Sequence, residues 1–296
     1  MRIAVTGASG FVGTALVARL RSDGHTVVPL SRSAASGTCR WDPATGELDL
    51  QALGSPDAVV HLAGESVAGG RWTHARKVAI RQSRGPATTA LCKRLATLPT
   101  PPKVFVSASG VGIYGDRGDE LLDESSRPGE GFLAAVAQEW EAGCAPLAGI
   151  GCRTAQMRIS MVLDADGGAL AKMLLPFKLG LGGRLGSGRQ WMSWISRADL
   201  VAAIAFVLTH EQVRGPVVAA APQAVTNREF TKALGKALHR PTILPAPAIA
   251  LRLLLGDMAD ELLLASQRCQ PRALLAAGFA FADADLGTLL AACVRR

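Results

Sequence analysis

The chain has 296 residues, enough to bury a full hydrophobic core as one large domain or as two smaller ones. Hydrophobic residues make up 49% and charged residues 19%, which is typical of a soluble, helix-rich protein. No apolar run reaches the roughly eighteen residues that a membrane-spanning helix needs, and the N-terminal MRIAVTG resembles a strand rather than a cleavable leader. We therefore expect a cytoplasmic protein that makes no membrane contact.

Cysteine spacing and charge exclude two further classes of protein. The six cysteines are scattered, without a CxxC pair or a Cys/His cluster, so the sequence predicts neither disulfides nor a metal site. The formal net charge is +8, but Lys and Arg alternate with Asp and Glu and form no basic stripe with aromatic residues. We expect no nucleic-acid partner, and a small-molecule ligand is favoured.

Short apolar runs alternate with segments of helical period over about two hundred residues, which predicts a doubly wound α/β fold with a parallel sheet. The predicted strands are Arg2–Thr6, Thr26–Leu30, Asp57–Leu62, Lys103–Ser107, Arg153–Ile159 and Pro216–Ala220. The predicted helices are Phe11–Ser22, His74–Leu98, Gly131–Leu147, Ala169–Leu179, Ala198–His210 and Thr226–Leu238.

The composition changes after about His239, where prolines precede a Leu-rich stretch. We therefore predict two domains: residues 1–240, with a smaller substrate lobe at about 164–197, and a mainly helical C-terminal domain over 241–296. The last helix is expected near Ala284–Val294.

A glycine-rich turn follows the first predicted strand. TGASGFVG places Gly7, Gly10 and Gly13 between a strand and a helix, the arrangement of a Rossmann-type dinucleotide site. Gly7 permits the tight turn, Gly10 lets the backbone approach a pyrophosphate, and Gly13 allows close helix–strand packing. The helix start then offers N–H groups and a dipole to the phosphate. The alternative is a tight turn with a purely structural role.

The end of the second strand predicts the type of dinucleotide. An NAD site would offer a carboxylate to the adenosine ribose there, but the sequence reads Ser31-Arg32. A guanidinium pairs with a 2′-phosphate, so NADP(H) is favoured as the cofactor. The alternative is a solvated surface arginine.

The third strand ends in HLAGES, which is expected to place small residues beside the cofactor. Leu62, Ala63 and Gly64 would lie near the adenine ribose, and Glu65 nearer the nicotinamide. We assign no role to His61, which is interpreted as a core residue in an apolar run.

Several motifs in order resemble a known family. TGASGFVG, HLAG, SASGVGIYG and ISRADL together resemble the extended short-chain dehydrogenases/reductases of the nucleotide-sugar epimerase type. Over nearly its whole length, the chain also resembles one atypical subfamily, the "epimerase family" NAD(P)-binding oxidoreductases. Members of this subfamily have a C-terminal domain of unknown function. The motifs are WDPATGE (41–47), RWTHARKVAIRQSR (71–84), YGDRGDE (114–120), GGALAKMLLPFKLGLGG (167–183), GSGRQWMSWI (186–195), TNREF (226–230) and the ADELLLASQR tail.

This resemblance extends the expected cofactor site. It implies that Arg84 and Leu163 also contact the cofactor. For Arg84, a role as a surface charge on a long helix is equally open. The full candidate set for cofactor binding is Gly7, Ser9, Gly10, Phe11, Val12, Gly13, Ser31, Arg32, Leu62, Ala63, Gly64, Glu65, Arg84, Ser107 and Leu163.

The catalytic residues of the family are missing. The resemblance implies a Ser or Thr four residues before the Tyr of a YG pair, but Gly110 stands there, and the next helix, GFLAAVAQEWEAG, lacks the Tyr-x-x-x-Lys pair. That Tyr is the acid/base, and the Lys lowers its pKa. Tyr114 and Ser109 are the candidate catalytic substitutes, and Glu65 or Glu139 would serve if buried beside substrate. Each has a purely structural alternative.

The glycine-rich segment 179–197 carries the candidate substrate residues. Arg184, Arg189, Trp191 and Trp194 would suit an anionic or planar ligand, and the alternative is a loop held down by two tryptophans. The main hypothesis is an NADP(H)-dependent oxidoreductase or epimerase-like enzyme acting by hydride transfer on a small metabolite, as a monomer or homodimer. The alternatives are a non-catalytic NADP(H)-binding redox sensor and, less favoured, a true nucleotide-sugar epimerase.

Overall fold

The structure of the protein, a computed structural model, describes residues 1–33 and 37–295. Its strands are β1 (Arg2–Thr6), β2 (Thr26–Ser31), β3 (Cys39–Asp42), β4 (Glu47–Leu48), β5 (Ala58–His61), β6 (Val104–Gly110), β7 (Leu121–Leu122), β8 (Arg153–Ile159), β9 (Met161–Asp164), β10 (Trp191–Met192), β11 (Trp194–Ser196), β12 (Gly215–Ala219), β13 (Val225–Thr226) and β14 (Arg268–Cys269).

The helices are α1 (Phe11–Ser22), α2 (Leu50–Leu53), α3 (His74–Gln82), α4 (Gly85–Ala96), α5 (Phe132–Ala142), α6 (Ala145–Ala148), α7 (Gly168–Lys178), α8 (Arg197–Thr209), α9 (Asn227–Leu238), α10 (Ala248–Leu255), α11 (Arg272–Ala276) and α12 (Leu286–Arg295). A 3-10 turn spans Val111–Tyr114 and a π-helical turn spans Ala259–Leu264. No helix of the described residues is long and apolar enough to cross a membrane.

The predicted doubly wound sheet is confirmed. Eight strands lie in the order β12-β8-β6-β5-β1-β2-β3-β4, parallel except for β4. Helices α1 and α8 cover one face of the sheet, and α4 and α6 pack on the other. The chain leaves β1 in one direction to β2 and returns to its other side with β5, so the strand order reverses between β1 and β5. The crevice at the carboxyl ends of these two strands is where such sheets bind ligands.

Three elements, β1, α1 and β8, have the predicted bounds, but two predicted helices were wrong in length. The helix predicted over 74–98 is two helices, because Arg84 leaves the helical conformation at φ −115° and ψ −91° and Pro86 lies in the first turn of α4. The helix predicted over 131–147 likewise divides into α5 and α6, with Pro146 in the first turn of α6. The short strands β3, β4, β7, β9, β10, β11, β13 and β14 were missed, since two to four residues show no period.

Carboxylates attach the C-terminal residues to the parallel-sheet unit. Asp199, at the start of α8, is 2% exposed and accepts hydrogen bonds from the backbone of Ala282 (3.0 Å) and Asp283 (2.9 Å). Glu124 accepts from Val218 N at 3.0 Å and from Ala273 N at 3.1 Å. Strand β14 pairs with β7, so backbone pairing adds to the side-chain contacts.

The packing of α1 on β1 depends on Gly13. A Cβ at this residue would lie 2.0 Å from the carbonyl oxygen of Gly7, and no flexible side chain is there to yield. In an ordinary helix interior, Gly→Ala stabilises by about 1 kcal/mol.

We predict the opposite sign for Gly13→Ala, a loss of about 3 kcal/mol in the free energy of unfolding, because the backbone must move to admit the methyl group. The free energy of unfolding of each variant is measured by denaturant titration. The matched control is Gly110→Ala, whose Cβ would find its nearest neighbour at 3.8 Å, an ordinary contact. Equal stability of the two variants would contradict the prediction.

Candidate dinucleotide site

The glycine loop forms one wall of the crevice between β1 and β5. Gly7 has φ +66°, and a Cβ there would lie 2.9 Å from the carbonyl carbon of Leu62. The Gly10 amide donates to the Gly7 carbonyl at 2.9 Å, closing the turn. Helix α1 begins at Phe11, with no side-chain cap and no acidic residue in its first turn. Its first N–H groups and the positive end of its dipole are therefore available to an anion.

The end of β5 forms the opposite wall and is fixed by Thr6. The Thr6 hydroxyl oxygen accepts from the amides of Leu62 and Ala63, each at 3.1 Å, and lies 2.7 Å from Nδ1 of His61. Because this oxygen already accepts two hydrogen bonds, its own proton is directed to His61. Leu62 and Ala63 are half-buried, and Gly64 and Glu65 are exposed, so this segment presents backbone and small side chains to the crevice.

His61 is a core residue, as interpreted from the sequence. It is 1% exposed, and among the described residues its Nε2 has no hydrogen-bond partner. Burial lowers the pKa of His61 from 6.5 to about 4, since a charged imidazole would lose its hydration. The ring is therefore neutral at physiological pH and has almost no contact with solvent.

The adenosine end of the crevice carries positive charge without a counter-ion. Arg32, directly after β2, is exposed and forms no ion pair with any carboxylate of the described residues. The hydroxyl of Ser31 lies 3.2 Å from that of Ser33. Residues 34–36 lie outside the described chain.

Arg84 is a second cation that forms no ion pair with a carboxylate of residues 1–33 and 37–295. Its guanidinium stacks 4.9 Å from the ring centroid of Trp140, donates to the Ile80 carbonyl at 3.1 Å, and lies 3.5 Å from where a Cβ of Gly64 would be. Burial lowers its pKa to about 10, although the nearby Glu65 opposes the shift. Glu65 itself pairs with Arg76 at 3.1 Å. Since Arg84 belongs to the turn between α3 and α4, it is positioned by backbone rather than by a long surface helix.

Three other predicted cofactor residues lie in the glycine loop or in the first turn of α1. Ser9 is exposed in the loop, and Val12, in the first turn of α1, packs against the core. Phe11 lies at the crevice, covered on one side by Gly167 and Gly168 at the start of α7 and on the other by Arg197, whose guanidinium is 5.0 Å from its ring.

Two members of the predicted set are buried. Ser107 is 0% exposed and donates to the Ala108 carbonyl at 3.0 Å, and Leu163 is 1% exposed in β9. Their side chains do not line the crevice in this arrangement, so any part they play is to support its floor.

The candidate catalytic residues Tyr114 and Ser109 lie in an internal network. Tyr114 is 0% exposed; its hydroxyl donates to the Asp123 carbonyl at 2.8 Å and accepts from Arg158 at 3.0 Å. Burial holds the pKa of this phenol well above its usual range. Ser109, 4% exposed, donates to Glu141 at 2.8 Å. An acid/base residue needs a hydroxyl that can reach the substrate. Each of these two hydroxyls instead has its hydrogen-bond partner inside the protein.

The centre of this network is the ion pair between Arg158 and Glu141. Its two parallel contacts measure 2.8 and 2.9 Å, and only 6% and 14% of the side chains are exposed. A bidentate pair of this kind fixes both side chains. Sequence reasoning missed it, since the two residues lie on α5 and β8 and neither belongs to a recognisable motif.

The glutamates considered as acid/base groups are both paired. Glu65 contacts Arg76, and Glu139 accepts from Arg81 Nε at 2.7 Å. A third glutamate, which the sequence did not single out, lies at the start of α5: Glu261 accepts from the amides of Phe132 (2.9 Å) and Leu133 (2.7 Å). Its contacts are more than a hundred residues away in sequence, so no local pattern predicts them.

The predicted substrate residues are not all in one place. Trp194 is 1% exposed in a core cluster, as expected of a loop anchor. Trp191 is half-buried; its indole N–H donates to Asp119 at 2.7 Å, and Arg268 lies over its ring at 4.3 Å. Arg184 and Arg189 are exposed, and Arg184 donates to the Ser187 carbonyl at 3.2 Å.

The fold is of the Rossmann type, in the class that binds dinucleotides. It is defined by the parallel sheet, the reversal of strand order, the glycine loop and the uncapped helix start. The chain belongs to the NAD dependent epimerase/dehydratase family, which matches residues 3–220. A second family, the domain of unknown function DUF1731, matches residues 246–293.

Relatives match the chain over its full length. Epimerase family protein ML0860 of Mycobacterium leprae is 40% identical over 296 residues, covering 99% of this chain and 96% of the relative. The crystal structure of human epimerase family protein SDR39U1 (isoform2) with NADPH has 35% identity and a TM-score of 0.92, covering 100% of both chains. A nucleoside-diphosphate sugar epimerase from Corynebacterium glutamicum has 34% identity and a TM-score of 0.82, covering 99% of this chain and 58% of the other.

The burial of His61 predicts a pH dependence of stability. The unfolded chain takes up a proton near pH 6.5, whereas the folded chain does so only near pH 4. Between these values the unfolded state binds more protons, so stability falls as the pH falls.

We expect the free energy of unfolding to drop by about 2 kcal/mol more between pH 7.5 and 5 in the native sequence than in His61→Gln, by urea titration. His74→Gln, at an exposed residue, is the control and should keep the native dependence. An unchanged pH dependence in His61→Gln would be inconsistent with a neutral buried imidazole.

Proposed function

We propose that this chain is an NADP(H)-binding oxidoreductase that moves a hydride between the nicotinamide and a carbonyl or carbinol carbon of a small metabolite. The single observation that carries the proposal is the crevice itself. A glycine loop and an uncapped helix start lie at the strand reversal, Arg84 lies beside Gly64, and Arg32 follows β2; neither arginine forms an ion pair within the described part of the chain. These features suit a dinucleotide that carries an additional phosphate.

The residues present fit such a cofactor. At Gly7 and Gly13 a side chain would collide with backbone, so the turn stays tight, and at Gly10 no side chain stands between backbone and ligand. The free N–H groups at Phe11 would hold the pyrophosphate. Arg32 would pair with the 2′-phosphate, and nothing acidic follows β2 to favour an unmodified ribose.

Arg84 strengthens the electrostatic argument. Its guanidinium is half-buried and has no ion-pair partner among the residues that the structure describes, a state that is costly unless an anion completes the site. Trp140 holds it in place beside Gly64. The human relative with a TM-score of 0.92 was crystallised with NADPH, which supports the choice of the phosphorylated cofactor.

The cofactor would supply the hydride, and the chain would position the two reactants. Segment 62–64 and the glycine loop would orient the dinucleotide, and the start of α7 over Phe11 would exclude water from the pyrophosphate. The substrate oxygen also needs a proton. Tyr114 and Ser109 are buried in their network, so we assign no side chain to this step.

A second candidate function is a non-catalytic NADP(H)-binding redox sensor. The observation that favours it is the engagement of both candidate hydroxyls by Arg158, Glu141 and the Asp123 carbonyl. Tight NADPH binding with no oxidation of NADPH across a panel of carbonyl compounds would favour the sensor. A true nucleotide-sugar epimerase is the least supported, since it needs an acid/base group at the sugar.

The experiment is a calorimetric titration with NADPH and NADH. Arg32→Ala should weaken NADPH binding about ten- to a hundredfold, the equivalent of one charge-assisted contact, and leave NADH binding nearly unchanged. The control is Arg21→Ala, which removes an exposed arginine at the far end of α1.

Equal losses for both cofactors in Arg32→Ala would place Arg32 away from the 2′-phosphate. Failure of the native protein to bind either cofactor would exclude both candidate functions.

A further inference from the structure

Helix α7 joins the two walls of the proposed cofactor crevice. At its start, a Cβ on Gly167 or Gly168 would lie 2.5 Å or 2.8 Å from ring atoms of Phe11, which belongs to the glycine-loop wall. One turn later, the Lys172 ammonium group donates to the Ala68 carbonyl at 2.6 Å, in the loop that continues the β5 wall. A helix rises about 6 Å over four residues, so a single turn of α7 and one lysine side chain connect the two walls.

The loop that follows β5 is a fixed point of attachment. The carbonyl of Ser66 accepts a hydrogen bond from Arg76, and the carbonyl of Val67 accepts one from the indole of Trp72 at 2.8 Å. Trp72 is buried and packs against Val67 in a hydrophobic cluster. Because these neighbouring carbonyls are held within the β5 loop and α3, the hydrogen bond from Lys172 ties α7 to a wall that is already fixed.

An ion-pair cluster fastens the start of α7 to the other wall. Arg197, the first residue of α8, contacts Asp164 at 3.1 Å and Asp166 at 3.2 Å, and its guanidinium lies 5.0 Å from the Phe11 ring. Backbone bridges within residues 163–168 join these aspartates to the first turn of α7. Only 20% of the Arg197 side chain and 13% of the Asp164 side chain are exposed, so water screens this pair less than it screens a surface pair.

Helix α7 has the features of an element that can move as a unit. Gly168 at its start has φ +68° and Gly180 after its end has φ +74°, conformations that glycine adopts without strain. Of its eleven residues only Leu170 and Phe177 are buried, and Leu175 is 66% exposed. A helix with few buried contacts, placed between two flexible backbone positions, opens at a lower free energy than the core of the protein.

We propose that α7 is a strap over the dinucleotide, held shut by two latches, and that it opens to let NADP(H) enter or leave. The aspartate latch consists of Arg197 with Asp164 and Asp166, and the lysine latch consists of Lys172 with the Ala68 carbonyl. The inference rests on the proposed function and concerns the regulation of the same site. All latch contacts join protein groups to each other, so they act with or without a bound dinucleotide.

The distribution of charge separates a latch from a direct phosphate ligand. Arg197 already contacts two carboxylates, so one arginine against two aspartates leaves the cluster with a net negative charge. A pyrophosphate is attracted less to such a group than to Arg32 or Arg84, which form no ion pair with the carboxylates that the structure describes. We therefore assign Arg197 to closure of the strap and not to anion binding.

A latch has a kinetic signature of its own. If opening costs the same free energy in the free and in the bound protein, a weaker latch speeds association and dissociation by one factor and leaves the Kd unchanged. Loss of a direct phosphate contact would instead raise the Kd, chiefly through faster dissociation.

The test is stopped-flow fluorescence of NADPH with the full chain, in which association follows mixing and dissociation follows displacement by excess NADP+. Arg197→Met keeps an unbranched side chain beside Phe11 and removes the charge. It should raise both rate constants about tenfold, the equivalent of one charge-assisted contact, and change the Kd by less than about twofold. Lys172→Met should change the rates in the same direction.

The aspartates and a second lysine provide matched variants. Asp164→Asn combined with Asp166→Asn removes the aspartate latch from its other side and should reproduce the rates of Arg197→Met. Adding Arg197→Met to that double variant should change the rates little further, because the ion pairs are already absent. The control is Lys178→Met, which removes an exposed lysine from the far end of α7 and should exchange NADPH like the native chain.

Hydrogen exchange of the α7 amides, measured without NADPH, tests the strap independently of the cofactor. Exchange in α7 should be faster in Arg197→Met than in the native chain or in Lys178→Met. Unchanged exchange in α9 would show that the variant is folded.

Equal exchange of α7 in all three proteins would overturn the proposal. Rate constants unchanged in both Arg197→Met and the aspartate double variant would overturn it as well, and so would a raised Kd with an unchanged association rate, which would make Arg197 a phosphate ligand. Failure of the native chain to bind NADPH would contradict the proposed function itself, whereas normal binding with unaltered rates would contradict the strap alone.

Discussion

The close approach of the glycine loop to the end of β5 is the contact on which the candidate site depends. With no side chain at Gly7 or Gly13, the loop backbone comes against Leu62 and the start of α1 comes against the loop. Thr6 joins the two walls through hydrogen bonds of 3.1 Å to the amides of Leu62 and Ala63. The crevice and the direction of α1 both follow from this geometry.

The interior next to this crevice is held by ion pairs and carboxylate caps. Arg158 and Glu141 organise the side chains of Tyr114 and Ser109, and Glu261 caps the helix where the family resemblance implies a Tyr-x-x-x-Lys pair. Removing one partner of a buried pair of this kind would leave an uncompensated charge, so loss of either side chain should destabilise the fold. The hydroxyls of Tyr114 and Ser109 take part in this internal network and do not reach a substrate. The observations therefore support the cofactor site more strongly than any catalytic group.

The sequence predicts local features well and long-range ones poorly. Strand β1, the glycine loop and α1 were predicted at their observed bounds, because hydrophobic period and turn chemistry act within a few residues. The break at Arg84 was missed although Pro86 signals it, and this break is what positions the guanidinium beside Gly64. Tyr114 was considered as an acid because it is the one tyrosine of the chain, but its burial depends on Arg158 and Asp123. The cap from Glu261 arises from contacts between distant segments, which no periodicity encodes.

The most direct test of the central claim is a crystal structure of this protein grown with NADPH. We predict the pyrophosphate over the first free N–H groups of α1, beginning at Phe11, and the 2′-phosphate within hydrogen-bond distance of Arg32. We also predict that Arg84 keeps its place on Trp140. A dinucleotide bound elsewhere, or bound at the glycine loop with its 2′-phosphate pointing away from Arg32 into solvent, would contradict the account.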